Sequence, residues 1–540
     1  EIAERLTQEG QQVKLLTSQF QDQPARQQNL QKVFEDSWAL LPIPAQWALA
    51  KASIFNGQFT SAAALAIADL TPDNLLLLRD HSMVQIDDEY HCSLHPLMRQ
   101  FAAQKWQELT TRQPEERERL RNAHGSYYLQ RLADLTEHHR GKAEFVAVHR
   151  LQKAHAEIVR SWQWATQRHA WMLIGNSMAG LLRYLELTNQ SIDGKTLFGM
   201  TDSTATDPVV QWLQVAQCHF RRRLTEFDEA RDRLETILAL LSPTTAEGNM
   251  ATAPLSTAAV AQLALQTQTF ALCVLGWIDY TQGNYEIAQS GFSTAYALAE
   301  RIGDVARLME ACNGLGAVAF SLKRYELARN QYEAALHYAR QQDDLHYTAI
   351  ILGNLAAHAQ VIKAFQEAER YLQMRLTIDH QTHNTRQMAI SYQRLGQLAL
   401  IGDNYVKAES HLRQSLTLFV QLGNSPEIAH VLLDLSKSLL CQQRIEEAET
   451  QCLRSLQLAI QAQMTPRILA ALALLAEIRI AEGKKEDAIT LLQMVNRSVQ
   501  IPAATWRKVQ RLQDTLIAEL GEKYVRLVQA VPASQSLQDY

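Results

Sequence analysis

The sequence predicts a mainly α-helical chain: a superhelix of repeated helical hairpins, preceded by a smaller domain of three or four helices and a β-hairpin. Three observations predict it. Leu275, Leu315, Leu355, Leu395, Leu435 and Leu475 recur every 40 residues, and Ala288, Ala328, Ala368, Ala408, Ala448 and Ala488 keep the same interval. Apolar residues in these segments return at i, i+3 and i+4, the spacing that lines one face of a helix. Between Val84 and Cys92 the period changes to two, the spacing of a half-buried strand.

Residues 1–26 read as the end of a preceding helical domain or a linker. From Gln27 the stretch QQNLQKVFEDSWALL sets Leu30, Val33, Phe34, Trp38 and Leu41 on one helical stripe, which Pro42 stops. A second helix, PAQWALAKASIF, ends near Asn56-Gly57. A third spans Ser61 to Ala68, and Thr71-Pro72-Asp73 opens a fourth that runs through Met83. Val84, Ile86, Tyr90 and Cys92 then alternate around a turn at Asp87-Asp88-Glu89. The segment SLHPLMRQFAAQKW (Ser93 to Trp106) follows as a further amphipathic helix, with His95 at its mouth.

Helices followed by a β-hairpin form a winged-helix pattern over 27–109, and such domains commonly bind DNA. This one lacks the chemistry. The helix before the wing offers Arg79 against Asp73 and Asp80, and its four leucines, Leu75 to Leu78, suit burial rather than a major groove. Nor does the whole chain attract nucleic acid or an anionic membrane: 52 basic residues face 57 acidic ones, for a net charge of −5.

Residues 110–210 read as a helical arm, and 211–258 as a degenerate repeat with Phe227 and Ala230 in its aromatic and alanine places. That unit ends in a Ser/Thr/Ala-rich loop, Ser242 to Thr257, expected to be mobile. Six 40-residue units fill 259–500. In each, the leucine precedes a small residue (Gly276, Gly316, Ala356, Gly396, Ser436, Ala476), which lets two helix axes approach closely. Three residues before the alanine stands Tyr285, Tyr325, Phe365 or Tyr405, giving way to Ile445 and Lys485 as the pattern decays. Gly283-Asn284 and Gly402-Asp403-Asn404 mark turns within hairpins; Gly303-Asp304 and Gly423-Asn424 mark turns between them. Residues 501–540 close the chain with capping helices, Thr505 to Ala530, and a frayed tail.

The Leu-Gly…aromatic-x-x-Ala pattern resembles the tetratricopeptide repeat (TPR), lengthened to 40 residues, which implies a right-handed α-superhelix with a concave ligand-binding surface. The order of parts, with AHGSYYLQRLADL and LQKAHAEIVRSWQWATQR in the arm, is similar to the C-terminal part of bacterial signal-transduction ATPases with numerous domains (STAND), the class that includes NB-ARC proteins. There a nucleotide-binding domain and a small helical domain come first, then a winged helix, an arm and a TPR sensor. A Met-His-Asp motif opens the last winged-helix helix in that family, and its histidine contacts the β-phosphate of bound ADP. Leu94-His95-Pro96 occupies that place, so the resemblance implies His95 as an ADP phosphate sensor in an intact parent; Pro96 departs from the motif's aspartate. ADP or ATP would then belong to the parent, with an upstream nucleotide-binding domain as partner and no cofactor in this chain. The chain starts at Glu1 rather than methionine and is read as part of something longer.

Other signals are explained without chemistry. SIDGKT (Ser191 to Thr196) ends like a P-loop, but Asn189 stands where the first glycine is needed. GNSMAG, with Ser177, lacks the last glycine of a nucleophile elbow. Gly314, Gly316 and Ala319 sit inside a repeat helix. His380 and His383 have zinc-like spacing without a second pair, and His138-His139 read as a solvated face. No metal site and no catalytic residue is expected. Six cysteines without a Cys-x-x-Cys pair (Cys92, Cys218, Cys273, Cys312, Cys441, Cys452) read as reduced core thiols of a cytoplasmic protein. The apolar run Ile468 to Ala476 is too short to span a bilayer, and no secretory leader is read.

If each repeat leucine is the seventh place of the first (A) helix of its hairpin, the fifth and ninth places face the groove. These are Cys273 and Trp277, Asn313 and Ala317, Gly353 and Ala357, Gln393 and Gln397, Leu433 and Lys437. Trp277, Asn313, Gln393, Gln397 and Lys437 are the candidate ligand residues, and they suit a protein, an extended peptide or a polar small-molecule inducer. The expected function is a non-enzymatic sensor controlling a nucleotide-dependent switch; the alternative is a plain TPR scaffold without nucleotide control.

Overall fold

A computed structural model describes residues 25–87, 91–201, 207–241, 257–498 and 501–530. The linker reading for 1–24, the turn residues Asp88, Glu89 and Tyr90, the loop 242–256 and the tail 531–540 lie outside the described residues, as does the Leu30 side chain. The chain divides into two compact units, Glu1–Ile278 and Asp279–Tyr540.

The first unit opens with α1 (Ala25–Ala39) and α2 (Ile43–Ala52), then β1 (Phe59–Thr60), α3 (Ser61–Ala68), α4 (Pro72–Asp80), β2 (Gln85–Ile86), β3 (His91–Ser93) and α5 (Pro96–Leu109). Thr60 and Thr71 cap the helices that follow them, each accepting a backbone N–H three residues on. The expected hairpin, β2 with β3, is joined by β1 into a three-stranded antiparallel sheet. β3 lies between β1 and β2, with Phe59 opposite Cys92 and Ile86 opposite Cys92 on the other side. A two-residue strand is too short to show a period, which is why β1 escaped the pattern.

Several boundaries and faces also differ from expectation. The first helix stops at Ala39, and Val33 is exposed while Trp38 and Leu41 are buried. The second stops at Ala52 and the fourth at Asp80, with Ser82 taking a positive φ beyond it. Of the four leucines on α4, Leu75 and Leu78 are buried and Leu76 is exposed, because a helix turns only part of a continuous run inward.

The arm continues with α6 (Pro114–His138), α7 (Gly141–Lys153), α8 (His155–Gln167), α9 (Trp171–Leu187) and α10 (Ser191–Phe198). SIDGKT is therefore helix rather than phosphate loop. A β-carbon on Gly194 would lie 2.4 Å from the Phe220 ring, so packing explains that glycine. α11 (Pro208–Arg223), α12 (Phe227–Leu240) and α13 (Thr257–Thr281) follow. Within α13, Ala258–Thr281 is long and apolar enough to cross a membrane, which the sequence reading did not identify. Its Phe270, Ala271, Val274 and Ile278 lie in the core of the first unit.

The second unit stacks helical hairpins with the 40-residue register intact. Its helices are α14 (Tyr285–Ile302), α15 (Val305–Ser321), α16 (Tyr325–Gln341), α17 (Leu345–Val361), α18 (Phe365–Gln381), α19 (Thr385–Ile401), α20 (Tyr405–Gln421), α21 (Ser425–Cys441), α22 (Ile445–Gln461), α23 (Thr465–Ala481) and α24 (Lys485–Asn496). α25 (Ala503–Leu520) and α26 (Glu522–Ala530) follow. The six register alanines, Ala288 to Ala488, are all buried. A β-carbon on Gly316 would lie 2.6 Å from Tyr332 and one on Gly396 2.6 Å from Leu412, so the small residue makes room for the large side chain of the second helix.

Asp304, Asp344, Asn384 and Asn424 each accept the backbone N–H three residues on, capping successive A helices. The apolar run Ile468 to Ala476 is core. Five cysteines are buried, but Cys441, the last residue of α21, is exposed, which corrects its reading as a core thiol.

Candidate ligand-binding face

His95 is exposed at the mouth of α5, where its Nδ1 accepts the Leu97 N–H at 3.3 Å and Pro96 fills the first helical turn. With Nδ1 accepting, the proton of a neutral ring lies on Nε2, which leaves that N–H as the outward donor.

Arg99 of α5 touches a polar knot that sequence reasoning missed. Arg99 donates to the Asn56 carbonyl at 2.6 Å, while the Asn56 and Gly57 N–H groups both donate to Glu157 Oε1. Glu157 Oε2 lies 2.8 Å from His124 Nε2, and Ser161 Oγ is 3.4 Å from the other ring nitrogen. Burial pushes the Glu157 carboxyl up, but the His124 bond and charge and the two backbone bonds outweigh it and hold it below its ordinary value. Ser161, His124 and Glu157 mimic the contacts of a hydrolytic triad, yet all three are buried, so the serine cannot meet a substrate. The knot instead ties the loop after α2 to α6 and α8.

On the A helices, the fifth places lie deeper than the ninth. Cys273, Asn313, Gly353 and Gln393 are buried, whereas Trp277, Ala357 and Gln397 are half-buried and Lys437 is exposed; Ala317 is buried and Leu433 half-buried. In the first unit, the Arg222 guanidinium stands 6.0 Å from the Trp277 ring centroid. In the second, Asn354 Nδ2 donates to Asn313 Oδ1 at 2.8 Å, joining α17 to α15. Gly353 faces Arg375: a β-carbon there would lie 2.5 Å from a guanidinium nitrogen.

Of the predicted residues, Gln397 meets Asp434 directly and the charge of Lys437 is close by. Gln397 Nε2 donates to Asp434 Oδ2 at 2.8 Å and stands 3.5 Å from His430 Nε2. Gln393 Nε2 is buried without a hydrogen-bond partner among the described residues. Burial pushes the Asp434 carboxyl up and the His430 imidazole down. Asn354, His430, Asp434 and Arg467 were not among the expected residues. The signal that finds Asn354 and Asp434 is the sixth place, next to the fifth and on the side of the preceding repeat.

The remaining motifs are occupied by structure. Ser177 Oγ donates to the Leu173 carbonyl at 2.7 Å inside α9. His380 Nε2 is 3.2 Å from the Tyr392 hydroxyl, and His383 occupies a turn with φ 51°. Among the described residues no group of three or more His, Cys, Asp or Glu side chains is placed to hold a metal ion.

No family model matches the sequence, and no curated protein matches it. Among solved structures the chain is similar to a Signal Transduction ATPase with Numerous Domains protein with a tetratricopeptide repeat sensor from Pyrococcus horikoshii. The two are 14% identical with a TM-score of 0.59, over 93% of this chain and 68% of that one. The apo form of RapI is 14% identical with a TM-score of 0.47, over 69% of this chain and 96% of that one. The apo form of the quorum sensor NprR from B. thuringiensis is 12% identical with a TM-score of 0.46, over 69% and 97%. The first likeness shows a TPR-like helical fold.

Proposed function

We propose that this chain is the sensor and regulatory part of a STAND-type ATPase, in which a protein, peptide or small-molecule inducer binds the A-helix face and biases a nucleotide-dependent switch. The observation that carries this reading is the extent of the likeness to the Pyrococcus horikoshii protein. It covers 93% of this chain, so it takes in more than the repeats. Fold-level analogy extends the reading to each part of the chain. On it, 27–109 is a winged-helix module built for packing rather than DNA, 110–210 is the arm, 211–500 is the sensor and 501–540 its cap. Unpaired thiols suit a cytoplasmic setting, where they stay reduced.

Among the described residues, one group suits the nucleotide. His95 offers its Nε2–H from an exposed helix start, enough for one bond to a phosphate oxygen. The remaining phosphate contacts belong to an upstream nucleotide-binding domain, and the chain by itself is not an enzyme. Occupancy of the face biases the switch only if the ligand prefers one conformation. The test is His95→Ala in the intact parent: basal activity is expected to rise as the ADP-held state loosens, and unchanged basal activity removes the sensor role.

A further inference from the structure

The arm carries a local charge that the chain as a whole does not. Between His138 and Lys153 stand Arg140, Lys142, Arg150 and Lys153 against a single carboxylate, Glu144, in a chain whose net charge is −5. That carboxylate is turned inward: Glu144 is buried in α7 and takes two Arg183 donors, at 2.7 and 2.8 Å. The acids just upstream are engaged too. Asp134 pairs with Arg131 at 3.4 Å, and Glu137 stands 4.0 Å from the His138 ring. Arg140, Lys142 and Arg150 are exposed, and none has an ion pair among the described residues.

Helix α7 sets these groups on one side. Its inner face packs Val148 and Leu151 into the core of the first unit. Lys142, Val146 and Arg150 follow one another at intervals of four residues, so they stand in a row on the opposite face, with His149 beside the last. Eight residues of helix separate the two cations by about 12 Å. Val146 lies midway and is 53% exposed. Folding does not call for this pattern: Lys142 sits in the first turn, the end of a helix whose dipole disfavours a cation.

We infer that the exposed face of α7, with Arg140, Lys142, Val146 and Arg150, docks an acidic helical segment of a partner protein, whose carboxylates meet the cations and whose aliphatic side chain covers Val146. The surface uses no residue of the A-helix face. Two other polyanions fit it less well. Three cations release too few counterions to hold nucleic acid at physiological salt, and a valine between them finds nothing apolar on a phosphate backbone. An anionic membrane is held by about four to eight clustered cations or by an apolar helix face that enters it, and the apolar face of α7 is already in the core. An acidic protein segment needs a few ion pairs for steering and an apolar contact between them.

The test uses the full chain at low ionic strength with a fluorescein-labelled helical peptide that bears glutamates eight residues apart and a leucine midway. Two counterparts replace the glutamates by glutamine or the leucine by serine. The glutamate peptide is expected to bind about three- to tenfold more tightly than the glutamine one, the return from two exposed ion pairs. Serine in place of leucine should also weaken it, because Val146 then loses its cover. Lys142→Gln with Arg150→Gln is expected to abolish the glutamate preference, whereas Lys323→Gln with Arg324→Gln, the same change of charge in the second unit, keeps it. All four side chains are exposed, so both double variants should melt near the parent. Carbodiimide cross-linking reads the place directly: the peptide should be joined to Lys142 rather than to Lys323. Equal binding of the glutamate and glutamine peptides, a leucine that makes no difference, or a loss or cross-link as large at the control site overturns the inference. So does duplex DNA or a phosphatidylserine vesicle that displaces the peptide from the parent chain, since the surface then belongs to a phosphate partner. No binding of any probe overturns it as well.

Discussion

Gly180 on α9 crosses Leu132 on α6 so closely that a β-carbon at residue 180 would stand 1.8 Å from the Leu132 carbonyl oxygen. The obstacle is backbone, which cannot swing aside as a side chain can. Gly180→Ala should therefore push two arm helices apart and cost about 3 kcal/mol. Gly402→Ala is the control, since its β-carbon would meet nothing nearer than 3.7 Å. Thermal melting decides: if both variants melt alike, the close crossing is absent in solution.

A second expectation concerns the turns. Lys323, Lys363 and Gln443 hold the left-handed conformation between the two helices of their hairpins, with φ of 60°, 62° and 61°, where the equivalent Gly283 and Gly483 are free of strain. A β-carbon there crowds the neighbouring backbone, so Lys363→Gly should stabilise by about 0.5–1 kcal/mol. Glycine at nearby Gln360, still helical in the last turn of α17, should instead destabilise, by less than the ~1 kcal/mol of a helix interior. Chemical denaturation of the two variants measures both signs.

These turns show where sequence reading works and where it stops. The six register alanines and the small residues beside the leucines were legible because close helix crossings admit nothing larger, whatever the neighbouring repeats contain. Lys323 and Gln443 were not, because a three-residue connection between two helices dictates their φ and their own preferences do not. The Glu157 knot was invisible for a different reason: its partners Asn56 and His124 lie 101 and 33 residues away, and no local period links them. Gln397 and Lys437 were picked out by counting ninth places from the repeat leucine, but whether Gln393 Nε2 finds a partner depends on which of two amides Asp434 accepts from. That choice belongs to packing.

The knot itself yields a pH prediction. Because the folded Glu157 carboxyl lies below its ordinary value of 4.5, its stabilising contribution is present above that value and is lost as pH falls through the folded pKa. Glu157→Gln keeps the shape and removes the charge. The variant should melt below the parent at neutral pH, and the gap should shrink in acid below about pH 4.5. A gap that is constant from pH 7 to pH 3 would show that the charge of Glu157 contributes nothing.

The last prediction concerns nucleotide. A phosphate site needs several N–H groups converging on one point, usually from a glycine-rich loop at a helix start. The best sequence candidate, SIDGKT, is α10, its Gly194 packed against Phe220 and its Lys195 paired with Glu226 at 2.6 Å. His95 remains, with one exposed N–H. One bond to a phosphate is worth about 1.5–3 kcal/mol at most, far short of the roughly 8 kcal/mol that micromolar affinity requires. Calorimetry on the chain by itself should therefore register no micromolar binding of ATP or ADP, and His95→Ala should change nothing in that experiment. Micromolar affinity that His95→Ala removes would mean that this chain builds more of the phosphate site than one histidine.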